Sequence, residues 1–323
     1  MEYIIGAYTS APSLVGESKE NETYFYELLF DRLSDIKGLE IPFFGESIHQ
    51  FGDEYLIDLL NADWNNVITA IPATFEALKK NKHFGLASDD EDSRKSAIKV
   101  HKKLNKILQK INDTKGRQAI SAVQIATAPS VPKKDISSSS ESFIKSFEEM
   151  LLWDWDGADL LIEHCDSSQK NHLYQKGFFS IEKEVEILDS FQDTNIGLVL
   201  NWARSAIEGQ DVKTVIEHIN IAQEKDLLKG FIFSGTCIND KTYGNWSDSH
   251  MPFANPYDIR HYERNSLLNI PNAEHSLKAI DMNSVEYLGI KLQALPQESA
   301  TIYRRVGINE DAVVLLNKAL NNL

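Results

Sequence analysis

The feature that most constrains this chain is an alternation repeated along its length: short runs of β-branched and other apolar residues, each followed by a longer stretch of helical period. Eight runs read as strands, at 3–9, 39–44, 66–71, 120–126, 158–166, 196–202, 230–235 and 286–294. Between them the helical period is clearest at Ala97, Val100, Leu104, Ile107, Leu108 and Ile111, where spacings of three and four place the apolar side chains on one face. Further helices are expected at 23–35, 141–152, 181–191, 212–224 and 309–320. Strand followed by helix, strictly repeated, implies parallel strands joined by right-handed crossovers.

Eight strands are the number a closed (β/α)8 TIM barrel needs, and such barrels reach this length of 323 residues as one unit, so a single domain over 1–323 is expected. An open doubly wound sheet shows the same alternation. Against it, the first strand runs into Thr9-Ser10-Ala11-Pro12 rather than a glycine-rich fingerprint, and no Walker-type loop occurs, so no nucleotide cofactor is expected.

Charge narrows the partners. With 33 basic and 48 acidic residues the net charge is −15, which opposes generic nucleic-acid binding, because neutralising phosphates requires a basic face. No run approaches the roughly 18 apolar residues of a membrane span. Met1-Glu2-Tyr3 leads into the first strand without a basic leader, so a cytoplasmic location without membrane association is expected. Cys165 and Cys237 lie in separate segments and are expected to be reduced and buried. Ser137 to Ser140 follow Pro129, Pro132 and two lysines, and Ser138 with Glu141 reads as a capping box opening the next helix. The longest irregular stretch, 236–256, has the length of a functional loop.

Polar residues gather where the strands end. The fifth strand closes in Ile162-Glu163-His164-Cys165-Asp166. Strand alternation puts Glu163 and Cys165 on one side, His164 and Asp166 on the other. A carboxylate at such a position binds a divalent metal or takes a proton from a carbon beside a carbonyl, unless it serves a buried structural ion pair. His164 is a candidate substrate contact or a hydrogen-bonded core histidine. The sixth strand ends in Asn201-Trp202-Ala203-Arg204, with Asn201 suited to orienting a hydroxyl and Arg204 to clamping an anion or pairing with Glu208. After the seventh strand come Ser234 and a loop carrying Trp246, Asp248 and His250, the last two spaced as possible metal ligands. The eighth strand ends around Lys291 and Gln293. Flanked by apolar residues, Lys291 either reaches solvent or points inward toward an anion. Tyr8, Glu40 and His49 are weaker candidates at earlier strand ends, and His218, in a helix interior, is read as structural.

With Ile-Glu-His-Cys-Asp at 162–166, Asn-Trp-Ala-Arg-Ser-Ala-Ile-Glu-Gly at 201–209 and the Phe-Ser-Gly, Tyr-Gly-Asn-Trp and Asp-Ser-His blocks that follow, the chain resembles the xylose-isomerase-like TIM barrels. That superfamily includes sugar isomerases, keto-sugar epimerases and endonuclease IV, and the motifs look most like a family within it described as xylose isomerases. The resemblance implies a carbohydrate substrate and one divalent metal (Mn, Mg or Zn), held by acidic and histidine ligands from strands five to eight. Glu163 matches the strand-five glutamate. Strand six offers Asn201 in place of an aspartate, strand seven Ser234 near a histidine position, and strand eight Lys291 or Gln293 near a glutamate position. Asp248 and His250 resemble an Asp-x-His pair of endonuclease IV.

The leading expectation is proton transfer next to a carbonyl through an ene-diolate. Glu163 acts as base or metal ligand, Asp248 and His250 as metal ligands, Asn201 and Lys291 as groups orienting and stabilising oxygens, and Tyr8, His164, Arg204, Ser234, Trp246 and Gln293 as substrate contacts. Two alternatives stand beside it: a carbohydrate-binding barrel without metal or chemistry, and a metal-dependent phosphoesterase of the endonuclease IV type.

Overall fold

A computed structural model describes residues 2–131, 135–191, 195–254 and 259–323. Pro132, Lys133 and Lys134 in the fourth connection, and positions 255–256 of the long seventh one, lie outside the described residues. Eight parallel strands close a barrel in sequence order: β1 (Tyr3–Ile5), β2 (Ile36–Pro42), β3 (Asn66–Thr69), β4 (Ile120–Ile125), β5 (Asp159–Glu163), β6 (Ile196–Asn201), β7 (Leu228–Phe233) and β8 (Tyr287–Ile290). All eight expected strands are present, and the (β/α)8 topology with them. No helix among the described residues is long and apolar enough to cross a membrane.

The helices are α1 (Lys19–Arg32), α2 (Asp53–Leu59), α3 (Ile71–Lys80), α4 (Glu91–Lys115), α5 (Ser140–Leu151), α6 (Ile181–Asp189), α7 (Trp202–Gly209), α8 (Lys213–Gln223), α9 (Ile270–Ala279) and α10 (Ile302–Asn321). Four of them, α2, α3, α7 and α9, are short and escaped the periodicity reading. The strands are also shorter than expected at their C-terminal ends: residues 7–10 form a 3-10 turn, and Ile71 opens α3. The cap of α5 is Ser139, whose hydroxyl accepts from the N–H of Ser142, not Ser138. Both serines suit a cap, and the helix start decides between them.

Internal contacts group the chain into two compact units. One comprises 1–40, 200–223 and 230–323, the other 41–199 and 224–229. In the second, β3, β4 and β5 pair in register, with Thr69 beside Gln124 and Gln124 beside Leu161. Helix α4 starts where Asp90 accepts from the N–H of Ser93 and ends at Gly116, whose φ of 67° is the left-handed conformation glycine adopts without strain. Its expected apolar stripe is buried throughout except at Val100, which is half-buried at the edge.

His101 sits in that buried face, with Nδ1 2.8 Å from the Ala97 carbonyl. Burial disfavours its charged form and lowers its pKa to about 4. The unfolded chain protonates this ring below its ordinary value of about 6.5, whereas the folded chain resists protonation until about 4. The folded-state pKa is depressed, so stability is lost as pH falls from about 6.5 to about 4, by ~3 kcal/mol from this group. In urea unfolding at pH 7 and pH 4.5, His101→Phe is expected to lose clearly less stability on acidification than wild type; an equal loss would remove His101 as the cause.

In the first unit, Arg305 of α10 is fully buried and donates to the carbonyls of Ser10, Gln297 and Ala300. The hydroxyls of Thr9 and Ser10 both donate to the Leu292 carbonyl, at 2.6 and 2.5 Å. These bonds hold the turn after β1, and Tyr8 within it, against the end of β8.

Candidate functional site

The register of the first unit brings residues of four strands level with one another. Ile5 of β1 pairs with Leu39 on one side and Ile290 on the other, and Phe233 of β7 pairs with Ile290. One residue further along stand Glu40, Gly6, Lys291 and Ser234. Lys291 Nζ lies 2.5 Å from Glu40 Oε1, the two side chains being 1% and 2% exposed. They meet over Gly6, where a Cβ would come within 3.0 Å of Lys291 Cγ; glycine there leaves room for the lysine stem. The Tyr8 ring centroid lies 5.4 Å from the same ammonium. Lys291 is therefore buried and anion-paired, as one of its two sequence readings required, with Glu40 among its partners. The signal that marks Lys291, a single charge between apolar strand neighbours, also marks Glu40 in Leu39-Glu40-Ile41.

Asn201, the last residue of β6, is the N-cap of α7. Its Oδ1 accepts from the N–H groups of Ala203 and Arg204 at 3.1 and 3.5 Å. Its amide Nδ2 is buried with no hydrogen-bond partner among the described residues. Buried donors of this kind are rare and call for an acceptor. Arg204 donates Nε–H to Asp248 Oδ2 at 3.1 Å, and Asp248 Oδ1 lies 3.5 Å from His250 Nδ1, itself 2.9 Å from Ser234 Oγ. Ser234, His250, Asp248 and Arg204 thus form one polar chain linking the ends of β6 and β7 to the long loop.

That loop is more ordered than its composition suggests. Gly235 and Met251 form an antiparallel bridge, and the Gln293 N–H donates to the His250 carbonyl at 2.7 Å. Tyr243 donates to the Gln293 carbonyl and accepts from the Leu295 N–H, both at 3.1 Å. Burial pushes its hydroxyl up to about 12, so it stays a neutral tether. Trp246 and His250 both have positive φ, 44° and 50°, an uncommon conformation for residues with side chains. Trp246 is half-buried, its N–H donating to the Cys237 carbonyl at 2.8 Å.

In the second unit Glu163 is the last residue of β5 and is fully buried. Thr69, at the end of β3, donates its hydroxyl to Glu163 Oε2 at 3.3 Å. A short threonine reaches across the intervening β4 only on the concave side of the sheet, so Glu163 faces the barrel interior. His164 faces the other way: its Nδ1 lies 2.7 Å from Glu184 Oε2 of α6, and Glu184 Oε1 accepts from Thr127 at 2.8 Å. Asp166 accepts from the N–H groups of Gln175 and Lys176 at 2.6 and 3.0 Å and organises the following loop. Cys165 and Cys237 are both buried, as expected.

For a metal, His164, Glu208 and His218 offer two imidazole nitrogens and a carboxylate, a donor set compatible with one divalent ion. His218, read as structural from the sequence, has Nδ1 3.0 Å from Ser205 Oγ and Nε2 3.6 Å from Glu208 Oε1. Glu184 on His164 and Ser205 on His218 are the kind of partner that orients a ligating ring.

The sequence matches a family model over residues 4–308, described as a domain of unknown function, DUF4862. The chain belongs to the DUF4862 family. An uncharacterized protein of Salmonella typhimurium LT2, STM3670, is 36% identical over 317 residues, covering 98% of this chain and 97% of that one. Among solved structures, the DUF4862 chain resembles the IOLI protein with a bound zinc atom (TM-score 0.62, 16% identity, 99% of both chains). It also resembles D-psicose 3-epimerase from Clostridium cellulolyticum H10 solved with D-tagatose (0.59, 13%, 99% of both). A xylose isomerase domain protein from Alicyclobacillus acidocaldarius gives 0.51 at 13% identity, again over 99% of both. At these identities the likeness establishes the fold alone, a (β/α)8 TIM barrel.

Proposed function

We propose that this protein moves a proton at the carbon next to the carbonyl of a small carbohydrate, as an isomerase or epimerase, at the C-terminal ends of its barrel strands. The observation that carries the reading is the buried Lys291–Glu40 pair at the end of β8. A buried ion pair is poor value for stability, since apolar residues of similar volume hold a fold as well or better. An ammonium fixed between a carboxylate and an aromatic ring is well suited to an oxygen on which negative charge develops.

The chemistry follows from the residues. Glu163, inward and held by Thr69, takes the proton from carbon; the electron pair moves onto the carbonyl oxygen, giving an ene-diolate that Lys291 stabilises. Return of that proton by Glu163 to the neighbouring carbon moves the carbonyl, whereas delivery of a proton from solvent to the opposite face inverts the centre and leaves the abstracted proton on Glu163 to exchange with solvent. Asn201 Nδ2 donates to a substrate oxygen, a role its unpartnered burial supports. Arg204, Asp248, His250, Ser234 and Gln293 face hydroxyl groups, with Trp246 and Tyr8 supplying flat surfaces for the sugar. His164, Glu208 and His218 are the residues that would hold a divalent ion. None of the proton-transfer steps above uses such an ion.

The test is a panel of ketopentoses and ketohexoses, free and phosphorylated, incubated with the protein and read by NMR for new isomers or epimers. At least one member is expected to convert. Conversion of none would overturn the proposal, and binding without conversion would identify a carbohydrate-binding barrel.

A further inference from the structure

Within the second unit, α3 and the loops after β4 and β5 enclose a slot of about 360 Å³, the size range of small-ligand sites. Its walls are apolar: Phe75 and Leu78 from α3, Ile136 and Phe178 from the loops. The Phe75 and Phe178 rings lie nearly parallel, at 17° with centroids 6.1 Å apart. They rest on a buried cluster of Ile71, Ala126, Ala128 and Cys165, so the floor is part of the core rather than a surface dimple. Three lysines, Lys79, Lys82 and Lys176, stand around it, with no carboxylate among the described residues that line it. In a chain of net charge −15 this is a local inversion of sign.

Each lysine has an acidic neighbour outside the slot, and two of these pairs are weak. Lys79 with Glu76 and Lys82 with Asp135 are more than half exposed on both sides, where an ion pair contributes little and is readily exchanged. Lys176 is 8% exposed, with Nζ 3.6 Å from Asp166 and 5.7 Å from the Phe75 ring centroid, which fixes one ammonium at the edge of the apolar wall. An apolar slot bordered by cations is complementary to one chemical class.

We propose that this slot binds a small amphipathic anion, a carboxylate on an acyl chain or aromatic ring, its apolar part against the wall formed by Phe75, Leu78, Ile136 and Phe178 and its charge at the lysines. The site is independent of the proton-transfer reading, uses none of its residues, and stands or falls separately.

Anilinonaphthalene sulfonate, an aromatic anion whose emission rises in apolar surroundings, is the first probe, with octanoate and octan-1-ol as competitors. Saturable binding at one site is expected, displaced by octanoate and not by octanol at the same concentration. The double variant Lys79→Glu/Lys82→Glu, whose changes lie on the surface, is expected to weaken octanoate by about ten-fold or more. Phe75→Ala should abolish saturation while leaving the circular dichroism spectrum unchanged. Absence of saturable binding, displacement by octanol as effective as by octanoate, or unchanged octanoate affinity in the double variant would each overturn the proposal.

Discussion

Replacing Lys291 with methionine is expected to destabilise the protein by about 3–5 kcal/mol. The substitution keeps most of the stem that packs over Gly6 and deletes only the ammonium, leaving Glu40, 2% exposed, without the cation at its Oε1. An uncompensated buried carboxylate is costly, whereas removal of both charges is not. The double variant Lys291→Met/Glu40→Gln should therefore recover a large part of the loss. Urea unfolding of wild type, both single variants and the double variant gives the coupling directly. Single losses that simply add in the double variant would mean the two charges do not depend on one another. The double variant is also expected to stay inactive, because a stable fold without the ammonium still lacks the group proposed to stabilise the developing oxyanion.

Glu163→Gln is expected to lower turnover by about 100- to 10,000-fold, the usual worth of a positioned general base, with a change in stability that is small by comparison. Glutamine matches the shape of the carboxylate and can still accept from Thr69, so the barrel interior stays packed while the base is lost. A fall in kcat with KM little changed is the expected pattern, since the proton is taken only in the transition state. Thr69→Val provides a milder comparison. It removes the hydroxyl that holds Oε2 at 3.3 Å and leaves the base itself in place.

How far these features were legible in the sequence depends on which residues they needed. The eight strands were visible because parallel barrel strands are buried on both faces and read as apolar runs, and the long α4 because 25 residues give its stripe room to repeat. Helices α2 and α7, of 7 and 8 residues, are too short for a period to declare itself, and α3 and α9 begin at Ile-Pro, which closes a strand as readily as it opens a helix. At the site, the opposed directions of Glu163 and His164 followed from strand alternation alone. Glu40 as a partner of Lys291 did not, because it depends on register: only when β1 lies between β2 and β8, with Gly6 at the same level, do two isolated charges 251 positions apart in sequence meet. The capping of α7 by Asn201 was hidden for a similar reason. An asparagine at a strand end looks the same whether it serves the backbone, a ligand or, as its two ends suggest here, both.

The measurement that tests the account most directly is exchange of the carbon-bound proton beside the carbonyl with solvent, followed by NMR in D2O with the ketose that the protein converts. Wild type is expected to incorporate deuterium at that carbon at a rate at least matching turnover, and Glu163→Gln to lose that exchange by at least about 100-fold while unfolding at nearly the same urea concentration. Equal exchange and equal conversion by Glu163→Gln and wild type would contradict proton transfer by Glu163.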